Sequence, residues 1–355
     1  MKKKNILVII TGGTFASVEI EDGVRVLGDI VKFCDTLKCV ETGLDSNVEM
    51  DIVSPLYMFS ENITFEDWQV ILSCIRDNLK IKKYDGVLIT HGSDTLAYTA
   101  NMIAISTQGC NIPIILIASS QPLGYSGCNG LVNFKAALNF VVGTQYKGTY
   151  VAYSYDNVDT IIYVGERVLQ SQMFVDRYSS FGSNLDFGII QLDGTFVIGD
   201  IELCKTKLQQ VDDKPLIDRL PNLYDLNSNI LMISPHVGMD FGVFDLKGVD
   251  TVIVNPYHSS TYCWLEIKDD KIEQNKSMQI LHDKCMKLNI PLIVAPYRDN
   301  ATKYSNIKNK ILRLPNISSE ATLVKVLWAN SLYNKDSIEW NNFLYTPIAC
   351  EFLIY

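Results

Sequence analysis

Ile6-Leu-Val-Ile-Ile-Thr-Gly-Gly-Thr14 opens with five apolar residues, four of them Ile or Val. Such a run reads as a short strand buried on both faces, the kind that parallel sheets use. It stops at Thr11-Gly12-Gly13-Thr14. The two glycines let the backbone turn sharply and approach a ligand, and the threonines put hydroxyls at the carboxyl end of the strand. Open α/β sheets place their ligands at that end. The pattern returns at Gly86-Val-Leu-Ile-Thr90, followed by His91-Gly92-Ser93-Asp94-Thr95. Two buried strands ending in glycine and hydroxyl clusters predict one polar site built from both.

The totals bound what that site serves. At 355 residues two domains are the prior expectation. The net charge of −9 argues against a general nucleic-acid binder, which would carry a basic face. It favours a soluble protein with a small-molecule partner. The nine cysteines are odd in number and include no Cys-x-x-Cys. Cys74, Cys110, Cys204 and Cys285 lie in or beside apolar runs, as small buried hydrophobes do. The pattern suits a reducing compartment and offers no zinc-ligand spacing.

Lys2-Lys3-Lys4 before an apolar run, with Phe15-Ala16-Ser17 behind it, has the outline of a signal peptide. The run is shorter than the roughly 7–15 residues of a real one, and Thr-Gly-Gly-Thr would straddle the cleavage site. The first-strand reading is better. No other apolar run approaches the ~20 residues of a membrane span, so the expected location is the cytoplasm, with no membrane partner.

Further along, the polar stretch after Thr14 (Glu19, Glu21, Asp22, Gly23) reads as a mobile loop. Thr64-Phe-Glu-Asp67 resembles a capping box with Asp in the third place, and Trp68, Ile71, Leu72, Ile75 and Leu79 follow at helical spacing. Val87–Ile89 is a buried strand, and Asp94 to about Thr107 a helix with Leu96, Ala100 and Ile103 on one face. Ile112–Ile117 is a strand ending in Ser119-Ser120-Gln121-Pro122. A helix is expected at Leu131–Val142, strands at Thr149–Tyr153 and Thr160–Val164, and a hairpin from Ile189 to Ile201 around Asp193-Gly194. Residues 206–229 turn polar and read as a linker. Beyond them come strands at Ile230–Ser234, Thr251–Val254 and Pro291–Ala295, and helices at Ser277–Leu288 and Ser318–Leu332. The alternation predicts an α/β chain with a domain over 1–205, the linker 206–229, and a second domain over 230–355, each a parallel sheet covered by helices in three layers.

Taken alone, Thr11-Gly-Gly-Thr14 is more often a plain turn than a presented nucleophile. His91-Gly-Ser-Asp94 divides evenly between an ordinary helix cap and a hydroxyl–carboxylate pair at a helix N-terminus. His91 itself reads as structural. Together and in this order the two motifs resemble the asparaginase/glutaminase family of amidohydrolases, in its cytoplasmic type I branch. The likeness includes Ile10-Thr-Gly-Gly-Thr-Phe-Ala16 and Tyr84-Asp-Gly-Val-Leu-Ile-Thr-His-Gly-Ser-Asp-Thr-Leu-Ala-Tyr-Thr99. It extends to Ser60-Glu61-Asn62-Ile63-Thr64, Ser120-Gln121-Pro122-Leu123, Asn129-Gly130-x-x-Asn133 and Pro315–Lys325.

The resemblance implies that Thr14 attacks the side-chain amide of asparagine, releases ammonia and leaves an acyl ester that water hydrolyses. It implies that Ser93 and Asp94 form a second hydroxyl–carboxylate group, the Asp gripping the α-ammonium, and that Ser60, Glu61 and Ser120 bind substrate. It further implies no metal or organic cofactor, and a homodimer or homotetramer. Four positions depart from the family pattern. Ser93 stands for Thr, Asn129 for Asp, Val24 for the flap tyrosine and, counting back from Phe181-Gly182-Ser183-Asn184, Gln172 for the catalytic lysine. No lysine occurs between Lys147 and Lys205; Arg167 and Arg177 are the only cations there. The departures leave a second reading open, a family member that binds an amino-acid or peptide amide and turns it over poorly or not at all. A third, a nucleotide binder using the glycine turns, lacks any Gly-Lys-Ser/Thr to support it. Asn255-Pro-Tyr-His258-Ser-Ser-Thr261 is either a polar wall for a partner's site or an ordinary loop.

Overall fold

The buried run at the N-terminus is strand β1 (Lys4–Ile10), and Ile6 to Ile10 are fully buried. The computed structural model describes residues 3–40, 48–182, 186–200, 215–220, 222–264, 275–298 and 311–353. Cys204, Ser183, Asn184, the final two residues and much of the stretch expected as a linker (206–214 and 221) lie outside the described residues. The chain divides into two compact units. One is Met1–Asp225 with Ile348–Cys350, the other Leu226–Pro347 with Glu351–Tyr355.

The first unit is built on one eight-stranded sheet. Its strands in chain order are β1, β4 (Val48–Val53), β5 (Gly86–Thr90), β6 (Pro113–Ile117), β7 (Gly148–Tyr153), β8 (Thr160–Val164), β11 (Gly188–Ile190) and β12 (Phe196–Ile198). In space they run β12-β11-β8-β7-β6-β5-β1-β4. From β4 to β7 the pairing is parallel; β7–β8, β8–β11 and β11–β12 are antiparallel. The register fixes the site. Ile10 lies opposite Thr90, Thr90 opposite Ile117, and Ile9 opposite Val53. Four loops therefore leave the same edge at one level, carrying Thr14, Ser93, Ser120 and Ser60.

The polar stretch after Thr14 is not a loop. It forms a hairpin of β2 (Ser17–Glu19) and β3 (Arg25–Leu27), then helix α1 (Ile30–Lys38). Strands of three residues are too short to show an alternation, and the turn needs only Asp22 and Gly23 at positive φ (64° and 76°). Asp29 caps α1 by accepting from the Val31 amide at 2.8 Å. Phe33 and Leu37 of α1 join the core beneath, with Ile6, Val8, Ile10 and Phe134 of α4 (Gly130–Gly143).

Helix α2 (Phe65–Ile81) starts on the expected capping box. The Asp67 amide donates to Thr64 Oγ1 at 3.4 Å, and the Thr64 amide to Asp67 Oδ2 at 2.8 Å. Helix α3 (Leu96–Ser106) differs from expectation. All its residues but Tyr98 are buried, because it is apolar all round and lies between other elements instead of on the surface. Two short strands, β9 (Val168–Leu169) and β10 (Ser179–Ser180), pair antiparallel and close the neck of the loop 170–178. At its C-terminal end the chain returns to this unit, where the Cys350 amide donates to buried Glu166 Oε1 at 3.0 Å.

The second unit holds a four-stranded parallel sheet in the order β13 (Ile230–Ile233), β14 (Thr251–Val254), β15 (Leu292–Tyr297) and β16 (Leu312–Pro315). Its helices are α5 (Met278–Leu288), α6 (Ser319–Leu332) and α7 (Ile338–Tyr345). Among the described residues the cysteines are free thiols. Burial pushes the Cys74 and Cys110 thiols to about 11. Among the described residues no helix is long and apolar enough to cross a membrane.

Candidate active site

Backbone contacts bring the motifs together. Gly13 adopts φ 77°, and a Cβ there would stand 2.5 Å from the Cα and N of Gly92. A Cβ on Gly92 would in turn stand 2.7 Å from Ser60 Cβ. The missing side chains thus let the Thr14 and Ser93 loops touch backbone to backbone and admit Ser60 beside them. Main-chain bonds hold this arrangement. The Gly13 amide donates to Met58 O at 2.9 Å, the Met58 amide to Thr11 O at 2.9 Å, and the Thr95 hydroxyl to Ser60 O at 2.8 Å.

Thr14 opens a single 3-10 turn (Thr14–Ala16) and is half-buried. Among the described residues its hydroxyl makes no hydrogen bond, while its carbonyl accepts from Ser17 Oγ at 2.7 Å. Ser60 is buried with an unpartnered hydroxyl, and Glu61, next in the same turn, is exposed.

Ser93, Asp94 and Ser120 line one open cavity of about 600 Å³, together with Gln121, Gln170, Gln172, Asp176 and Tyr178 among others. Thr14, Ser60 and Glu61 are not among its lining residues. The loop 170–178 supports the Ser93-Asp94 main chain from the far side. Tyr178 Oη donates to Ser93 O at 2.9 Å, and Gln170 Nε2 to Asp94 O at 2.7 Å. Burial raises the Tyr178 pKa well above 10, and the nearby Tyr153, Asp176 and Asp94 add to it, so this phenol stays a donor. Tyr153 donates to the Asp176 carboxylate. Sequence reading missed Gln170, Asp176 and Tyr178, which carry no motif of their own.

Among the described residues no lysine or arginine pairs with the Asp94 carboxylate. Of the two arginines in that interval, Arg167 donates to Cys350 O, and Arg177 lies over the Tyr155 ring at 5.0 Å. Asn129 is buried and holds Ser120 in place, accepting from its amide at 2.8 Å.

His91 is fully buried, and its Nδ1 donates to Gly92 O at 2.8 Å. Burial depresses its pKa from 6.5 to about 4. The fold therefore carries His91 neutral while the unfolded chain takes up a proton below pH 6.5. Its contribution is complete above pH 6.5 and is lost as the pH falls toward 4. His91→Gln is expected to flatten that part of the stability profile, removing on the order of 3 kcal/mol of loss. Urea midpoints of both proteins from pH 7 to 4 measure the difference; parallel profiles would contradict it.

The family model "Asparaginase, N-terminal" matches residues 5–191, more than half of the chain. The chain belongs to the asparaginase family of amidohydrolases. Among similar proteins, the L-asparaginase of Thermococcus kodakarensis is 28% identical over 252 residues, 71% of this chain and 70% of that one. L-asparaginase 1 of Escherichia coli K12 is 30% identical over 184 residues, about half of either chain at 52% each. A glutamyl-tRNA(Gln) amidotransferase subunit from Methanococcus maripaludis is 25% identical, over 67% of this chain and 55% of that one. In fold, the T. kodakarensis enzyme aligns with a TM-score of 0.73 at 21% identity, over 99% of this asparaginase-family chain and 100% of the other. A probable cytoplasmic L-asparaginase from Campylobacter jejuni aligns at 0.68 and 19% identity, over 97% of this chain and 100% of that one.

Proposed function

We propose that this chain hydrolyses the side-chain amide of L-asparagine with Thr14 as nucleophile. The backbone contact of Gly13 with Gly92 carries the reading, because it brings a threonine with an uncommitted hydroxyl against the loop that bears Ser93 and Asp94. Thr14 Oγ adds to the amide carbon, ammonia leaves, and the resulting ester is hydrolysed by water, which returns the hydroxyl and frees L-aspartate. The Asp94 and Glu61 carboxylates receive the substrate's ammonium. Ser60 and Ser120 donate to its carboxylate, and Ser93 orients the water. The sequence balances without a cofactor. A homodimer or homotetramer in the cytoplasm belongs to the same reading.

Ammonia release from L-asparagine and from L-glutamine, by wild type and Thr14→Ala, tests it. Wild type is expected to release ammonia from asparagine faster than from glutamine, and Thr14→Ala to lose at least a thousandfold. Equal rates in wild type and variant would overturn it.

An Asp94 carboxylate that no lysine or arginine among the described residues pairs with, and the presence of Gln172 in the same cavity, favour a second reading, a family member that binds the amino acid and scarcely turns it over. Calorimetric binding of L-asparagine without ammonia release is its signature.

A further inference from the structure

The hairpin β2–β3 is tied down at both ends, in different ways. At its base the Gly28 amide donates to Ala16 O at 2.9 Å, and Tyr57 Oη lies 2.9 Å from Gly28 O and 3.2 Å from Ala16 O. Ser17 Oγ reaches back to the Thr14 carbonyl at 2.7 Å, so the first hairpin residue is bonded to the expected nucleophile's own main chain. Beyond the base the hairpin is nearly bare. Val18, Ile20 and Val24 are 42%, 51% and 53% exposed. A two-stranded ribbon of this length has little stability of its own.

One side-chain bond crosses from this outer part to the rest of the unit. Arg25 Nη2 donates to Gln121 Oε1 at 2.6 Å, joining residues 96 apart in sequence. Among the described residues no other side chain between Val18 and Val26 makes such a bond. Gln121 lines the cavity of Ser93, Asp94 and Ser120. Arg25 also directly follows Val24, where the resemblance leads one to expect a tyrosine.

We propose that Arg25 is a positioning residue that latches the β2–β3 hairpin to the cavity wall through Gln121 and thereby fixes Thr14 at the hairpin's root. The guanidinium suits the task. Its planar fork is pre-organised, so little freedom is lost per bond formed. Arg25 acts through the hairpin and does not touch substrate. Its loss should therefore slow the reacting state and leave ground-state binding alone. The kinetic consequence rests on the amidohydrolase reading; the effect on hairpin opening does not.

The test compares wild type, Arg25→Ala, Arg25→Lys, Gln121→Ala and the double variant Arg25→Ala/Gln121→Ala. Hydrogen exchange of the amides from Glu19 to Arg25 reads hairpin opening without any turnover. Each alanine variant is expected to speed that exchange roughly three- to tenfold, the worth of one hydrogen bond to a charged donor at the surface. The double variant should be no faster than either single, and Arg25→Lys should recover part of the protection. With L-asparagine, kcat should fall by a similar factor while KM changes less than about twofold. Unchanged exchange in Arg25→Ala, or effects that multiply in the double variant, would overturn the latch. A wild type that releases no ammonia sinks the amidohydrolase reading alone, and the exchange result still decides the latch.

Discussion

Gly13→Ala is expected to lower ammonia release at least a hundredfold, although it alters no side chain of the site. Gly13 sits at φ 77° and ψ −174°, a region essentially reserved for glycine that costs an L-residue on the order of 1–3 kcal/mol. That strain is the smaller part. The new Cβ would stand 2.5 Å from the Gly92 Cα and N, and 2.9 Å from the His91 carbonyl carbon. These are backbone atoms at a strand end and have no rotamer to yield. Ser60 crowds the same spot, its Cβ 2.7 Å from where a Cβ on Gly92 would stand. The Thr14 turn must therefore move by something like an ångström, and a displacement of that size near the chemistry costs on the order of a hundredfold. Gly238→Ala separates the two effects. Gly238 has φ 79° and nothing within 4 Å of its missing Cβ, so a side chain there meets a positive φ without the clash. Initial rates should be near wild type for Gly238→Ala and collapse for Gly13→Ala, with a larger drop in urea midpoint for the latter. Matching rates in the two variants would mean that the glycine contact does not position Thr14.

This part of the site was legible in the sequence for a physical reason. Strands buried on both faces must be apolar throughout, so Ile6–Ile10, Val87–Ile89 and Ile112–Ile117 stand out as uninterrupted runs. Parallel pairing then brings their carboxyl ends to one edge, and the residues just after each run are neighbours whatever their separation in the chain. That reasoning joins the Thr14 and Ser93 loops, while Ser120 is singled out by the family resemblance; of these residues Ser93, Asp94 and Ser120 line a common cavity, and Thr14 does not.

What escaped the sequence lies where structure is short or held from a distance. The hairpin's three-residue strands carry no readable period; α1, by contrast, has Ile30, Phe33, Cys34 and Leu37 at helical spacing, a signal the sequence did hold. Tyr178 reaches Ser93 across 85 residues, and Gln170 reaches Asp94 across 76, each through a backbone carbonyl that every residue possesses. A bond to a carbonyl imposes no pattern on the partner's sequence, so nothing marked those residues beforehand. The apolar stripe read on α3 has a similar limit. Leu96, Ala100 and Ile103 are buried as expected, but so are the faces between them, because periodicity cannot tell a surface helix from an enclosed one.

The same contrast between legible motif and hidden partner governs the second unit, where the largest stability effect is expected. Lys325, in the Pro315–Lys325 motif, lies on α6, and both it and Glu351 are fully buried. Its ammonium donates to Glu351 Oε1 at 2.9 Å and to Thr346 O at 2.7 Å, with the Phe343 and Phe352 rings 5.4 and 5.1 Å away. Burial pushes its pKa below the usual lysine range, and Glu351 opposes that shift. Removing one partner leaves the other charge without its counter-ion, which costs about 3–5 kcal/mol in comparable buried pairs. Lys325→Met is expected to destabilise the second unit by that amount. Lys325→Met/Glu351→Leu should recover most of the loss, because two apolar side chains between phenylalanine rings need no desolvation repaid. The recovery will fall short by roughly 1 kcal/mol, the bond to Thr346 O having no replacement donor. Two units can unfold separately, so the urea transition to follow is the one that moves in Lys325→Met. A single variant that costs under about 1 kcal/mol, within the range of an ordinary surface substitution, or a double variant worse than the single, would show that the pair does not close this core.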